Sequence, residues 1–273
     1  MAFLLGAKYA ILNDGENLTR EAARMKLERV IAVRNNKTVY RDGELVIKVF
    51  NMGYSKGDIL NEALNQALIE EAGIRVPKVQ AVQQIDGKWA IVSDFIQGKT
   101  LAQLIEKTPQ RQGEYMDLFV TLQNQVHAQT MPLLNRLAEK MHRQIAQAEL
   151  EATVRYDLHA RLDAMSKKTS VCHGDFNPSN IIITPAGKSY VIDWAHATQG
   201  NASADAARTY LLFMLKGQEQ LAEQYLRLYC LRSNTAKQYV QKWLPIVAAS
   251  QSVKGKPEER DFLLKWADVV EYE

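Results

Sequence analysis

The run Cys172-His173-Gly174-Asp175-Phe176-Asn177-Pro178-Ser179-Asn180 concentrates side chains that can do chemistry. Three apolar residues follow, Ile181-Ile182-Ile183, and then Tyr190-Val191-Ile192-Asp193-Trp194. An aspartate, an asparagine five residues on and a second aspartate beyond a hairpin meet the needs of phosphoryl transfer. Asp175 can accept the proton of an attacking hydroxyl. Asn180 and Asp193 offer oxygen ligands of the kind a hard ion such as Mg²⁺ takes. Pro178 fixes the turn between Asp175 and Asn180. His173 reads as a structural histidine that holds this loop by hydrogen bonds, and Cys172 as a small buried residue rather than a nucleophile.

The elements that must position these residues fall into two groups. Strand signals come first: Arg29-Val30-Ile31-Ala32-Val33 is apolar and β-branched, Asn35-Asn36 signals a turn, and Thr38-Val39-Tyr40-Arg41 alternates. Asp42-Gly43 predicts a hairpin turn into a third strand, Leu45-Val46-Ile47-Lys48-Val49-Phe50. A helix is expected over 56–72, closed by Gly73. Strand resumes at Val76-Pro77-Lys78-Val79, with Pro77 suited to an edge or a strand start. A second hairpin turns at Asp86-Gly87 before Trp89-Ala90-Ile91-Val92. Beyond Gly98 the periodicity becomes helical over 115–127, 133–150 and 158–164. After the central loop it is helical again over 205–216, 219–230, 235–248 and 258–270. The expectation is an α+β chain: a small antiparallel sheet lobe with one helix (residues 1–96) and a larger, mainly helical lobe (residues 97–273). A cleft between such lobes is a usual place for a ligand.

The spacing from Asp175 to Asn180 is that of the protein-kinase catalytic loop. Gly174 stands where those enzymes have arginine, and Asp193-Trp194 where they have Asp-Phe-Gly. The pair His-Gly-Asp-x-x-x-x-Asn and Ile-Asp-Trp resembles the aminoglycoside phosphotransferase and choline kinase superfamily, protein-kinase-like enzymes that phosphorylate small molecules. That resemblance implies a bilobal protein-kinase-like fold in which Lys48 pairs with the α- and β-phosphates of ATP. Asp58, Glu62, Glu70 and Glu71 on the following helix are candidates to orient that lysine. Glu62, in Leu60-Asn61-Glu62-Ala63-Leu64, best matches the superfamily's helix glutamate, whereas Glu70 and Glu71 lie near a helix end, where the dipole disfavours anions.

The stretch from Val92 to Leu101 resembles the superfamily's interlobe hinge. This implies that adenine bonds backbone groups around Ser93 and Phe95, with Gly98 letting the chain bend. The superfamily also has an aspartate at the place of Asp205 that braces the catalytic loop; locally, Asp205 reads as an N-cap as well. The phosphate-loop position, Arg34-Asn35-Asn36-Lys37-Thr38, holds no glycine. Asparagine tolerates left-handed backbone and can bond phosphate, while Lys37 and Thr38 read equally well as plain turn residues.

Composition bounds the rest. The chain has 273 residues and a formal charge of +3, with no Lys/Arg block, so a nucleic-acid partner is unsupported. No apolar run approaches membrane-spanning length. Residues 1–8 are briefly apolar but lack a basic leader. Cys172 and Cys230 make no disulfide framework, so a cytoplasmic protein with reduced thiols is expected, where ATP and Mg²⁺ are plentiful.

The expected function is transfer of the γ-phosphate of ATP to a hydroxyl of a small molecule such as an aminoglycoside, an amino alcohol or a sugar. A non-catalytic nucleotide-binding pseudokinase and a protein kinase compete with it. The complete set Lys48, Glu62, Asp175, Asn180 and Asp193 weighs against the first. Gly174, the glycine-free loop and the lack of an Ala-Pro-Glu segment weigh against the second. The acceptor, a preference for ATP over GTP and the oligomeric state have no motif. Trp194, Trp243 and Trp266 read as core residues or as a cage for a quaternary ammonium. The acidic end, 268–273, reads as a solvated tail or a contact for a cationic acceptor, and His196 as a substrate contact or a packing residue.

Overall fold

The computed structural model describes residues 27, 29–253 and 257–267. β1 (Arg29–Val33), β2 (Lys37–Asp42) and β3 (Leu45–Phe50) run antiparallel in succession, and β4 (Val79–Ile85) forms a second hairpin with β5 (Lys88–Asp94). They join in one five-stranded antiparallel sheet of order β1-β2-β3-β5-β4. The first hairpin turns one residue later than expected. Asp42 pairs with Leu45, so Gly43-Glu44 make the loop, with Gly43 in left-handed backbone. Asp86-Gly87 turns where expected, both residues at positive φ, a geometry whose twist matches the flanking strands. The strand expected at 76–79 begins only at Val79. The Gln66 side chain donates to the Pro77 carbonyl at 2.6 Å, which holds this backbone to the helix instead of the sheet.

That helix, α1 (Lys56–Glu71), starts at Ser55, whose hydroxyl accepts from the Asp58 N–H. Side chains alternate across a strand, and this decides which residues face α1. Phe50 and Ile91 pack with Ile59 and Ala63 of α1, while Ile47, Val49, Ala90 and Val92 cluster on the opposite face. Lys48 lies two residues from Phe50, and Lys37 pairs with Phe50 across the strands, so both lysines share the α1 face.

The remainder is mainly helical. α2 (Leu101–Lys107), α3 (Gln112–His127), α4 (Leu137–Ile145) and α5 (Ala152–Ala164) precede the Asp175 loop. α6 (Ala202–Leu215), α7 (Glu219–Ser233), α8 (Lys237–Gln241), α9 (Leu244–Ser252) and α10 (Pro257–Ala267) follow it. Two small sheets frame the loop. In one, β8 (Ile181–Ile183) lies between β6 (Lys99–Thr100) and β9 (Ser189–Val191); in the other, β7 (Ser170–Cys172) pairs with β10 (Thr198–Gly200). A Cβ on Gly98, just before β6, would overlap the Ile183 carbonyl oxygen, so close approach is what requires glycine there.

Two expected helices come out shorter. The span 235–248 breaks into α8 and α9 because Pro245 clashes with the carbonyl four residues back, at Gln241, where α8 ends. The span 133–150 reduces to α4 because Gln199 claims the backbone before it: its side chain donates to the Pro132 and Leu134 carbonyls and its N–H to Asn135. The helix expected over 258–270 is α10 as far as Ala267. Residues 268–270, the acidic end and residues 1–8 lie outside the described residues. Trp194 and Trp243 are buried, and Trp266 packs edge-on against Tyr210, so the tryptophans are core residues and form no cage. No helix among the described residues is long and apolar enough to cross a membrane.

Candidate active site

Two lysines and two carboxylates meet between the sheet and the helical part. Lys48 Nζ donates to Glu62 Oε1 at 2.6 Å and lies 3.5 Å from Asp193 Oδ1. Lys37 Nζ donates to Glu62 Oε2 at 3.1 Å and also lies 3.5 Å from Asp193 Oδ1. Glu62 reaches both because it sits three residues from Ile59 and four from Gln66, on the buried face of α1. Asp58, Glu70 and Glu71 have no part in this cluster. Lys37 is the residue that sequence reasoning left undecided; its register against Phe50 is the signal that places it here, with its ammonium 5.5 Å from the Phe50 ring centroid.

Asp193 sits in left-handed backbone, φ 66°, sparsely populated by any residue with a side chain. The charge of Lys48, with that of Lys37, holds its carboxyl well below the usual aspartate range against the effect of burial. Burial alone would lower Lys48, but Asp193 and Glu62 raise it above the usual lysine value. Both therefore stay ionised near neutrality.

Asp175 occupies a loop fixed at every turn. Asn180 Nδ2 donates to Asp175 Oδ2 at 2.9 Å and to its carbonyl at 2.9 Å, and Asn177 Nδ2 adds weaker bonds at 3.3 and 3.0 Å. Asn180 thus spends its amide nitrogen inward and keeps its side-chain oxygen as a hard donor. The Ile192 N–H donates to the Asn180 carbonyl at 2.9 Å, which ties this loop to the strand end carrying Asp193. His173 fixes the loop's start: its Nδ1 accepts from the Asp175 N–H at 3.2 Å, and its Nε2–H donates to the Ile192 carbonyl at 3.1 Å. Both bonds require the neutral Nε2–H tautomer, a structural role. Gly174 adopts φ 79°, and a Cβ there would lie 2.8 Å from the His196 carbonyl oxygen. No arginine could stand at that position. Burial pushes the Asp175 carboxyl above its ordinary value.

Asp205 supports the loop from behind. It accepts from the backbone N–H of His173 at 3.1 Å, from Gly174 N–H at 2.7 Å and from His127 Nε2–H at 3.0 Å. It is not an N-cap: α6 starts at Ala202, and Asn201 caps it by accepting from the Ser203 N–H. Burial would raise the Asp205 carboxyl, but the hydrogen bond and charge of His127 bring it below the usual value. One turn on, Thr209 Oγ1 donates to the Phe176 carbonyl at 3.0 Å and accepts from Gln123. Asp205→Ala leaves three donors without their acceptor, two of them buried. It is expected to destabilise the protein by about 3–5 kcal/mol, measured by urea unfolding. A loss below about 1 kcal/mol, the range of an unremarkable substitution, would show that the brace carries no load.

Ser93 and Phe95 mark where the chain leaves the sheet. Ser93 is buried in β5. The Phe95 N–H donates to the Glu44 carbonyl at 2.8 Å, and the Arg41 guanidinium covers the Phe95 ring at 3.8 Å. The Phe95 N–H is therefore already engaged.

The sequence matches the profile of the phosphotransferase enzyme family over residues 27–243. Several solved structures share its architecture. A choline/ethanolamine kinase family protein from Mesorhizobium loti aligns with TM-score 0.62 and 16% identity, over 92% of this chain and 91% of that one. The choline kinase LicA from Streptococcus pneumoniae aligns with TM-score 0.60 and 16% identity, over 88% and 94%. A thermostable mutant of the aminoglycoside phosphotransferase APH(4)-Ia, in ternary complex with AMP-PNP and hygromycin B, aligns with TM-score 0.65 and 14% identity, over 88% and 91%. At such identities the likeness is one of fold. No curated protein matches the sequence.

Proposed function

This chain belongs to the phosphotransferase enzyme family, and from that premise we propose that it transfers the γ-phosphoryl group of ATP to a hydroxyl of a small molecule. The observation that carries the reading is the junction of Lys48, Glu62 and Asp193 beside the braced Asp175 loop. Residues 1–96 are proposed as the nucleotide-binding lobe and residues 97–273 as the catalytic and acceptor-binding lobe. A cytoplasmic location, where ATP is available, belongs to the same proposal.

In this reading Lys48, held by Glu62, receives the α- and β-phosphates, and Lys37 adds a second cation at the same oxyanions. Phosphoryl transfer asks for positioning and charge neutralisation more than for covalent chemistry. The two asparagine amides fix Asp175 Oδ2, which turns Oδ1 toward the acceptor hydroxyl to take its proton. The adenine edge meets backbone carbonyls around Ser93 and Phe95, since the Phe95 N–H is occupied. The side-chain oxygens of Asn180 and Asp193 are hard donors at the phosphate end, and this set fits Mg²⁺, which takes one or two carboxylates with the rest of its shell from phosphate and water. Held by Asn180 and Asp193, Mg²⁺ would supply neutralisation of the phosphate charge.

The test is an acceptor screen that reads ADP release from Mg²⁺-ATP. Small alcohols, amino alcohols, sugars and aminoglycosides are expected to stimulate release, and peptides are not. Release that no small acceptor stimulates, or efficient phosphorylation of peptides, would overturn the reading.

A further inference from the structure

His142 of α4 is held at both ring nitrogens by residues one turn apart on α5. Its Nδ1 lies 2.8 Å from Nδ1 of His159, and its Nε2 lies 3.2 Å from Asp163 Oδ1. The ring planes are tilted by only 16°, but the rings do not stack: 2.8 Å is shorter than the separation of about 3.5 Å at which stacked atoms touch. They meet edge to edge, nitrogen to nitrogen. Two bare nitrogens would repel there and two N–H groups would collide, so one Nδ1 carries a proton and the other does not. With Asp163 accepting from His142 Nε2–H, the neutral pair has His159 Nδ1–H donating to His142 Nδ1. The phosphotransferase mechanism above uses none of these groups.

The pair counts protons. One added proton is tolerated, because an imidazolium at either ring still donates to the bare Nδ1 of the other. A second is not: both Nδ1 atoms then carry hydrogen, and two cations face each other. The surroundings set where this happens. Burial, then the charge of His142, lowers His159 from the ordinary histidine value; Asp163 opposes this and Arg155 adds to it. A cavity against His142 and Asp163 brings Arg136 and Glu139, which pair with each other, and Lys167 and Lys168. α9 and β10, which also pack on α4, carry no titratable side chain. His142 is half-buried and Asp163 exposed, so protons reach the pair from solvent.

α4 connects the pair to the site. Two residues before His142, Lys140 Nζ donates to the His196 carbonyl at 3.1 Å, the oxygen that packs against Gly174 of the Asp175 loop. Arg143 and Gln144 line a cavity that also touches Glu62. We propose that His142 and His159 form a proton-operated latch: a shared proton ties α4 to α5, and acid releases α4 and with it the support of the Asp175 loop at His196.

The test compares wild type with His159→Gln, whose amide can bond His142 Nδ1 but cannot titrate, and with His142→Gln. In wild type, nitrogen-15 NMR of the histidine rings should show one N–H proton coupled to both rings, lost as the pH falls below about 6.5, the ordinary histidine value. Rings that titrate independently, with no shared proton, overturn the latch, and this arm decides alone if neither variant folds. Urea unfolding reads the linkage. The folded state holds His159 below its unfolded value, so the unfolded chain takes up the proton first. Stability is then full above about pH 6.5 and is lost as the pH falls below it. The loss should be smaller in His159→Gln, and an equal loss in both proteins overturns the latch. Hydrogen exchange at the His173 and Gly174 N–H groups reads the coupling. Compared at equal pH, exchange should be faster in wild type than in His159→Gln below about pH 6 and equal above pH 7; equal rates throughout overturn the proposal. These arms need no turnover, so they judge the latch even if the acceptor screen rejects the phosphotransferase reading. The kinetic arm rests on that reading: the acid limb of kcat/KM should lie at higher pH in wild type than in His159→Gln, which keeps only the limb of Asp175. A limb unmoved by His159→Gln also overturns the proposal.

Discussion

Asp175→Asn is expected to lower turnover by about 10²–10⁴-fold, the worth of a positioned general base, while Mg²⁺-ATP still binds. The substitution is nearly isosteric. An amide at this position can still accept the Asn180 and Asn177 bonds through its oxygen, so the loop and its brace at Asp205 persist. What it loses is the ability to take a proton from the acceptor hydroxyl. Single-turnover phosphorylation and an ATP titration on the same protein separate the two effects. Wild-type turnover in Asp175→Asn would remove Asp175 from the role of base. The pH dependence has a definite sign. The active form is the carboxylate, and burial raises its pKa. Activity should therefore fall on acidification at a higher pH than that of an exposed aspartate, about 3.9.

How much of this was legible depended on whether the determining contact is local. Lys48 could be read through the resemblance, since a lone lysine on a strand ordinarily faces water; its place two residues from Phe50 is what turns it toward the helix that follows. Glu62 could be read because it matches the superfamily's helix glutamate, and the structure puts it on the buried face of that helix. Lys37 could not be assigned: its partner Glu62 is 25 residues away, and only the strand register shows that its side chain turns inward. Asp205 read locally as a cap, because an aspartate before an apolar run usually is one, and only the resemblance implied its brace of the catalytic loop. Asn201 takes the cap, and Asp205, one turn inside, is freed for the loop. The helix expected over 133–150 failed for the same reason, since the hydrogen bonds of Gln199 to residues 132–135 are tertiary and override periodicity; the break at Pro245, by contrast, is local. The segments that the chain's own chemistry constrains were readable, and those that a distant partner constrains were not.

Asp193→Ala should abolish the Mg²⁺-dependent part of ATP binding and lower turnover by about 10²–10³-fold, the worth of several kcal/mol of charge stabilisation. The reason lies in the balance of the cluster. Asp193 and Glu62 share Lys37 and Lys48. Without Asp193 the pocket holds two ammonium groups against one carboxylate, so in EDTA the triphosphate should bind at least as tightly as to wild type. With Mg²⁺ present the affinity gained by wild type should be missing. Calorimetric titration with and without Mg²⁺ reads both quantities, and the opposite directions separate a lost metal ligand from a general collapse of the site. The backbone supplies a control. Asp193 lies at φ 66°, where alanine carries a penalty of about 1–2 kcal/mol and asparagine carries less. Asp193→Asn keeps that conformation and one oxygen donor while removing the charge, so it should fold like wild type and show a weakened Mg²⁺ response. A Mg²⁺ response equal to wild type in both variants would place the metal ligand elsewhere and leave Asp193 as a mere counter-ion for the two lysines.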